Sequence, residues 1–360
     1  MTNAWLDSAR LDSARLDSAQ LDSARVDSAR TAGDPRPSCH SQVCQYPPMT
    51  NQPSADLRAS LAGVRGLVLD LDGVLILSGA LIPGAREALA ELDARGFPYV
   101  IGTNMSLASR VTLSRELTRG GLPVPAERIV NAASTAASLA RRRFGREPIY
   151  VMGSDDAMDE FSGMYLLSHE DAADPDRQAA AVIVGDAGND FTPRNIQSAF
   201  RLLRGGAQFV AMHKNRWWIT PAGVLLDSGS YVAALEFGLE RKALVAGKPS
   251  RAFFGEAVRT LSEGSGAGVG AAVGAGAADG RKPSNRLSAA QVAMVGDDLW
   301  NDIRGAQKAG LRGVFVRSGK HGEAELVRVT SGRGGRGGRG SWAPDAIAPS
   351  IVEIVAALPR

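Results

Sequence analysis

The sequence predicts an α/β fold, a Rossmann-like parallel sheet with a second α/β module inserted into it. Three observations carry this expectation. Short apolar runs such as Leu67-Val68-Leu69 suit strands buried on both faces. Amphipathic stretches alternate with those runs, as at 192–204, where Ile196, Phe200 and Leu203 share one helix face. Several runs end on small or acidic residues, and open α/β sheets bind ligands beyond the carboxyl ends of their strands.

The 360 residues allow one large domain or two of ordinary size, and 44% hydrophobic content suffices for a sizeable core. A net charge of +3 gives no reason to expect nucleic acid or an acidic membrane as partner. No apolar run is long enough to cross a bilayer, and no signal-peptide pattern opens the chain, so a soluble cytoplasmic protein is expected. Both cysteines, Cys39 and Cys44, precede the first strand, which leaves the folded part without a disulfide framework or cysteine metal site.

Residues 1–60 read as a disordered tail. Its LDSAR pentads turn a helix by about 500° per repeat, so their Leu residues form no stripe. An odd period builds no sheet face either. Met49 stands just ahead of the first strand, and we expect translation to begin there, the tail being an upstream extension. Intact-mass detection of residues before Met49 would count against that.

In chain order, a strand at 67–69 runs into Asp70, Leu71, Asp72 and Gly73. Side chains two apart on an extended chain point the same way, so Asp70 and Asp72 can act on one group. Asp72-Gly73 taken alone is also an ordinary turn. A loop at 75–81 leads to a helix from Ile82 through about Arg95, with Pro83 near its start. A strand at 97–101 leads into the turn Gly102-Thr103-Asn104-Met105-Ser106 and a helix over about 108–120. Such a turn before a helix N-terminus is a ready anion site, although Thr-Asn is also a common cap.

The second module is expected at 132–242, with strands at 148–152, 179–184 and 208–212. The first domain then comprises 61–131 and 243–360. It resumes at Gly247-Lys248-Pro249 with a helix from Ser250 to about Leu261. A strand at 291–295 is followed by Gly296-Asp297-Asp298-Leu299-Trp300-Asn301-Asp302, and a last strand lies at 313–316. Two flexible insertions are expected, at 262–285 (Gly/Ala-rich) and 330–343, which carries Arg333, Arg336 and Arg339 among glycines. Arg-Gly arms can bind RNA, but arginines in a loop are more often simply solvated. A helix at 349–358 closes the chain.

The motifs DLDGV, TN, GKP and GDDLWND, in this order, resemble the haloacid dehalogenase superfamily of phosphohydrolases, from about Gly63 to the end. The inserted module resembles the large α/β cap of its class IIA branch. The resemblance implies a phosphatase in which Asp70 is the nucleophile and forms an aspartyl-phosphate. Asp72 would act as general acid and then base. Mg²⁺ would be held by Asp70, the Asp72 carbonyl and Asp297, with Asp298 and Asp302 as further or water-mediated ligands. Thr103, Asn104 and Met105 would hold the phosphoryl oxygens, and Lys248 would balance their charge. Many members carry a second Asn where Met105 stands. The implied partner is a small phosphorylated molecule, and relatives often pair through the cap as homodimers.

Blander readings remain beside these. A lysine before proline is commonly a surface residue, and the acids at 297–302 suit a helix N-terminus. Trp217 and Trp218 suit a core or subunit contact better than substrate stacking, while His213, Lys214 and Arg216 could reach an anionic substrate. A phosphate-relay receiver shares the Asp, Thr and Lys but lacks an inserted module and the acid at Asp72. A binding protein using the cap and the Arg-Gly arm is the alternative to an enzyme.

Overall fold

A computed structural model describes residues 54–220, 223–264, 286–331 and 341–359. The LDSAR repeats, both cysteines, Met49, the Gly/Ala-rich stretch from 265 to 285 and the Arg-Gly stretch from 332 to 340 lie outside the described residues.

The strands are β1 (Gly66–Leu69), β2 (Ile76–Leu77), β3 (Ala80–Leu81), β4 (Tyr99–Gly102), β5 (Ile129–Val130), β6 (Ile149–Met152), β7 (Leu166–Leu167) and β8 (Ala181–Val184). They continue as β9 (Gln208–Ala211), β10 (Trp217–Thr220), β11 (Gly223–Leu226), β12 (Leu244–Val245), β13 (Val292–Gly296), β14 (Arg312–Val316) and β15 (Ala346–Ala348). A six-stranded sheet runs β15-β14-β13-β1-β4-β5, and a five-stranded one β12-β9-β8-β6-β7. Every pairing within the two is parallel. Two antiparallel ribbons, β2–β3 and β10–β11, stand apart from them.

β1 is central because all four of its residues are buried, as the apolar run requires. Helix Arg251–Gly264 covers one face of this sheet and brings Phe253 and Phe254 against Val68, Val100 and Met294. The second sheet has helix Ala132–Phe144 on one face and helix Pro193–Arg204 on the other. The first presents a face of alanines, Ala133, Ala136, Ala137 and Ala140, which lets its backbone lie close to the strands.

The structure corrects several expectations. The tail does not extend to residue 60: Ala55–Leu61 is a helix, capped by Ser54, that buries Leu57 and Leu61 against β15 and helix Ile351–Ala357. The loop at 75–81 is the β2–β3 ribbon. Ile129–Val130 is a strand, β5, that pairs with the end of β4. β12 lies beyond the boundary at 242 yet pairs with β9, so the second sheet reaches Val245. Residues 262–264 are helical, and Ser262 Oγ accepts from Leu287 N at 3.1 Å. Trp342, inside the expected insertion at 330–343, packs edge-on to Trp300 with ring centroids 5.5 Å apart. Helix Glu323–Thr330 and β15 were not anticipated. No helix among the described residues is long and apolar enough to cross a membrane.

Candidate active site

The carboxyl ends of β1, β4 and β13 lie side by side because those strands are neighbours. β1 extends by one rung, Asp70 N donating to Val295 O at 2.9 Å, and this brings the Asp70 carboxylate to the sheet edge. Lys248 arrives from the other sheet. β12 leads into Ala246 and Gly247, whose N–H groups donate to Ala211 O and Met212 O, and Lys248 follows. Its Nζ lies 2.8 Å from Asp70 Oδ1 and 2.7 Å from Asp302 Oδ1. Lys248 is buried, so the surface reading is excluded.

Burial pushes Asp70 up to about 6, with Asp297 and Asp72 adding to it and Lys248 opposing. Asp297 is pushed up to about 7, by burial first and then by the charge of Asp302. Asp302, fully buried, stands well above the ordinary range, chiefly from burial and then Asp70. Burial alone would lower Lys248, but Asp302 and Asp70 outweigh it and raise it. Asp72 is the member of the set that reaches solvent. The protein packed around it still raises its carboxyl, with Lys248 opposing and Asp302 adding.

Crowded carboxylates that resist ionisation are what a cation site looks like without its cation. One oxygen each from Asp70, Asp297 and Asp302 lies within 4.8 Å of the others. An all-oxygen donor set suits a hard divalent ion such as Mg²⁺ or Ca²⁺. The space is kept by two glycines. A Cβ on Gly73 would stand 2.1 Å from Asp297 Oδ2, and one on Gly319 would stand 2.0 Å from it. The residues present therefore fit a cation.

Other expected residues are placed differently. Asp298 stands outside this trio: its Oδ1 accepts from Trp300 N and Asn301 N, its Oδ2 from Lys320 Nζ at 3.0 Å, and these donors hold its carboxyl low against burial. The helix-cap reading thus describes Asp298, while Asp297 and Asp302 face the cleft. Thr103 Oγ1 accepts from Met105 N at 3.2 Å. Asn104 grips the Lys248 backbone through both ends of its amide, Oδ1 accepting from Lys248 N and Nδ2 donating to Lys248 O. Lys214 pairs with buried Glu236 at 2.7 Å, and His213 is buried against Ser106 and Asp227. Neither side chain is free to reach a substrate as expected. Trp217 is exposed, and the Trp218 side chain lies outside the described residues.

Sequence reasoning missed the segment after β14. Ser318 Oγ donates to Gly73 O at 2.6 Å, Lys320 N donates to Asp297 Oδ2 at 2.5 Å, and Leu299 N donates to His321 Nδ1 at 3.0 Å. These contacts fix the backbone after Asp72 and the Asp297 carboxylate. The signal was present: Ser-Gly-Lys at another strand end is the pattern that marked the other motifs.

Two family models match the segments that carry this cluster. Residues 67–166 match a haloacid dehalogenase-like hydrolase model, and 245–354 match a second, HAD-hydrolase-like one. The chain is 31% identical over 267 residues to the haloacid dehalogenase-like hydrolase domain-containing protein 2 of Bos taurus, covering 74% of this chain and 89% of that one. It is 34% identical over 266 residues to the phospholysine phosphohistidine inorganic pyrophosphate phosphatase of Homo sapiens, covering 72% and 85%. Among solved structures, a 4-nitrophenylphosphatase from Thermotoga maritima superposes with a TM-score of 0.66 at 25% identity, over 83% of this chain and 99% of that one. A glycerol phosphate phosphatase from Mycobacterium tuberculosis, in complex with magnesium, shares the fold at a TM-score of 0.65 and 23% identity, over 82% and 77%. With the two family models spanning most of the described chain around these carboxylates, the protein belongs to the haloacid dehalogenase-like hydrolases.

Proposed function

We propose that the protein is a Mg²⁺-dependent phosphatase that hydrolyses a small phosphorylated molecule through an aspartyl-phosphate on Asp70. The observation that carries this is the buried Asp70 held 2.8 Å from Lys248 Nζ beside two further inward carboxylates. Lys248 Nζ and the N–H of Leu71, both on Asp70 Oδ1, fix the carboxylate for attack. An Asp70 oxygen bonds to phosphorus as the bond to the leaving oxygen breaks. Asp72, whose hold on a proton is strengthened by the protein packed around it, serves in its acid form to give that proton to the leaving oxygen. As carboxylate it then takes a proton from water, whose oxygen attacks phosphorus and returns Asp70 free. Thr103 and the turn after it hold the phosphoryl oxygens. Asn104 acts on Lys248, keeping its backbone in register with that turn. Asp70, Asp297, Asp302 and the Asp72 carbonyl would hold Mg²⁺, which supplies charge neutralisation so that two anions can meet. The inserted module, which we place at 132–245, covers the cleft as a cap.

The printed names of the relatives supply the first substrates to try: pyrophosphate, 4-nitrophenyl phosphate and glycerol phosphate. Phosphate release with Mg²⁺, abolished by EDTA and by Asp70→Asn, is expected. Release that survives Asp70→Asn would refute the nucleophile.

A further inference from the structure

A phosphate loop followed by a helix N-terminus offers an anion its free N–H groups. In this protein that helix start is already filled, and by the protein itself. The N–H of Ser109 donates to Asp156 Oδ2 at 2.6 Å, and the N–H of Arg110 to Glu160 Oε1 at 2.7 Å. Thr112 Oγ1 donates to Asp156 Oδ1 at 2.7 Å, and Arg110 Nε lies 3.0 Å from Glu160 Oε2. Asp156 and Glu160 both follow β6, in the second sheet's module, whereas helix Arg110–Arg119 follows β4 in the first.

The grip continues backwards along the loop. Ala108 O accepts from Asn131 Nδ2 at 2.7 Å, and Leu107 O accepts from Ser154 Oγ at 2.6 Å. Ser106 Oγ accepts from Asp186 N at 3.2 Å and lies 2.9 Å from His213 Nε2. His213 Nδ1 accepts from Asn215 N, so Nε2 carries the proton and donates to Ser106. Five consecutive residues, 106–110, thus have a polar group bound at the carboxyl ends of β6, β8 and β9 or by Asn131. In a parallel sheet of order β9-β8-β6-β7 that is the crevice where the strand order reverses, the usual place for a ligand. The module holds the phosphate loop of the other sheet where it would otherwise hold a small molecule.

We propose that Asp156 and Glu160 are positioning residues for the phosphate-binding turn Thr103–Ser106, and that through them the inserted module is a fixed clamp rather than a swinging lid. This rests on the phosphatase reading above. Two carboxylates at the helix start also bar a phosphate from it, which confines the phosphoryl group to Thr103, Asn104 and Met105. The substrate then enters alongside the clamp, between the sheets, without the contacts at 106–110 opening.

The test compares wild type with Asp156→Ala and Glu160→Ala, and with the milder Asp156→Asn and Glu160→Gln should the alanine variants fail to fold. Binding of inorganic phosphate and orthovanadate is measured calorimetrically with Mg²⁺, alongside hydrogen exchange at 106–112. Loss of a hydrogen bond to a charged group weakens an interaction about tenfold or more. We expect binding of both anions to weaken about tenfold in Asp156→Ala, less in Asp156→Asn, with faster exchange at 106–112. In wild type the amides of Ser109, Arg110 and Thr112, which donate within these contacts, should exchange slowly with or without orthovanadate. Unchanged anion affinity in folded variants would overturn the proposal, as would wild-type amides of Ser109, Arg110 and Thr112 that become protected only when orthovanadate binds. Wild type with neither turnover nor anion binding would refute the phosphatase reading instead. The exchange measurement would still judge the clamp.

Discussion

Lys248 sits between Asp70 and Asp302, and removing it leaves two buried carboxylates facing each other without a cation. Lys248→Met should lower kcat by about a hundredfold or more, the scale of losing one preorganised charge at a transition state. A variant with near wild-type kcat would remove Lys248 from the chemistry. Gly73 has φ +77°, and its missing Cβ leaves room for Asp297. Gly73→Ala is therefore expected to abolish Mg²⁺ binding, read by calorimetry. Protonation of the site sets a pH dependence. Asp70 at about 6 and Asp297 at about 7 lie above the ordinary 3.8, so between about 4 and 7 the folded state holds more protons than the unfolded. Stability in EDTA should fall as pH rises through that window, and Mg²⁺ should raise the melting temperature more at pH 7.5 than at pH 5. Equal Mg²⁺ effects at both pH values would contradict this. The sequence made Asp70, Asp297 and Lys248 legible because each stands at a strand end within a motif. It could not separate Asp298 from Asp302, since which acid caps a helix and which faces a cleft depends on a π-helical turn over Leu299–Arg304.

At the scale of elements, long apolar or amphipathic segments were readable and short ones were not. β1, β6, β8 and helix Pro193–Arg204 carry their own periodicity. β5, β7 and β12 are two residues each, too short to show any, and exist because a neighbouring strand offers a ladder. Helix Ala55–Leu61 was read as tail because it follows a low-complexity stretch, and only β15 and the last helix give Leu57 and Leu61 something to cover. Leu61 is fully buried, so Leu61→Ala should destabilise by about 2–5 kcal/mol in urea unfolding. A change below about 1 kcal/mol would show that this helix packs loosely on the sheet.

At the scale of the whole molecule, the two sheets are joined by polar contacts that no sequence pattern announces, because they connect residues far apart in sequence. Asn104 with Lys248, Ser106 with His213 and Ser109 with Asp156 are such pairs. Calorimetric unfolding of wild type should therefore show one transition, and the combined Asp156→Ala, Glu160→Ala variant should show two. Two transitions already in wild type would mean that these contacts do not couple the sheets.

β12 has a consequence for how such a protein can be rebuilt. The strand that completes the second sheet is the one that carries the chain to Lys248, so the lysine is positioned by that sheet although it lies just past the module's last strand. A chimera that exchanges this module to alter substrate choice cannot be cut at 242. Its downstream junction has to fall after Pro249, and the donor must bring its own edge strand and lysine. Modularity here has a seam, and the seam lies on the far side of the lysine that meets Asp70 and Asp302.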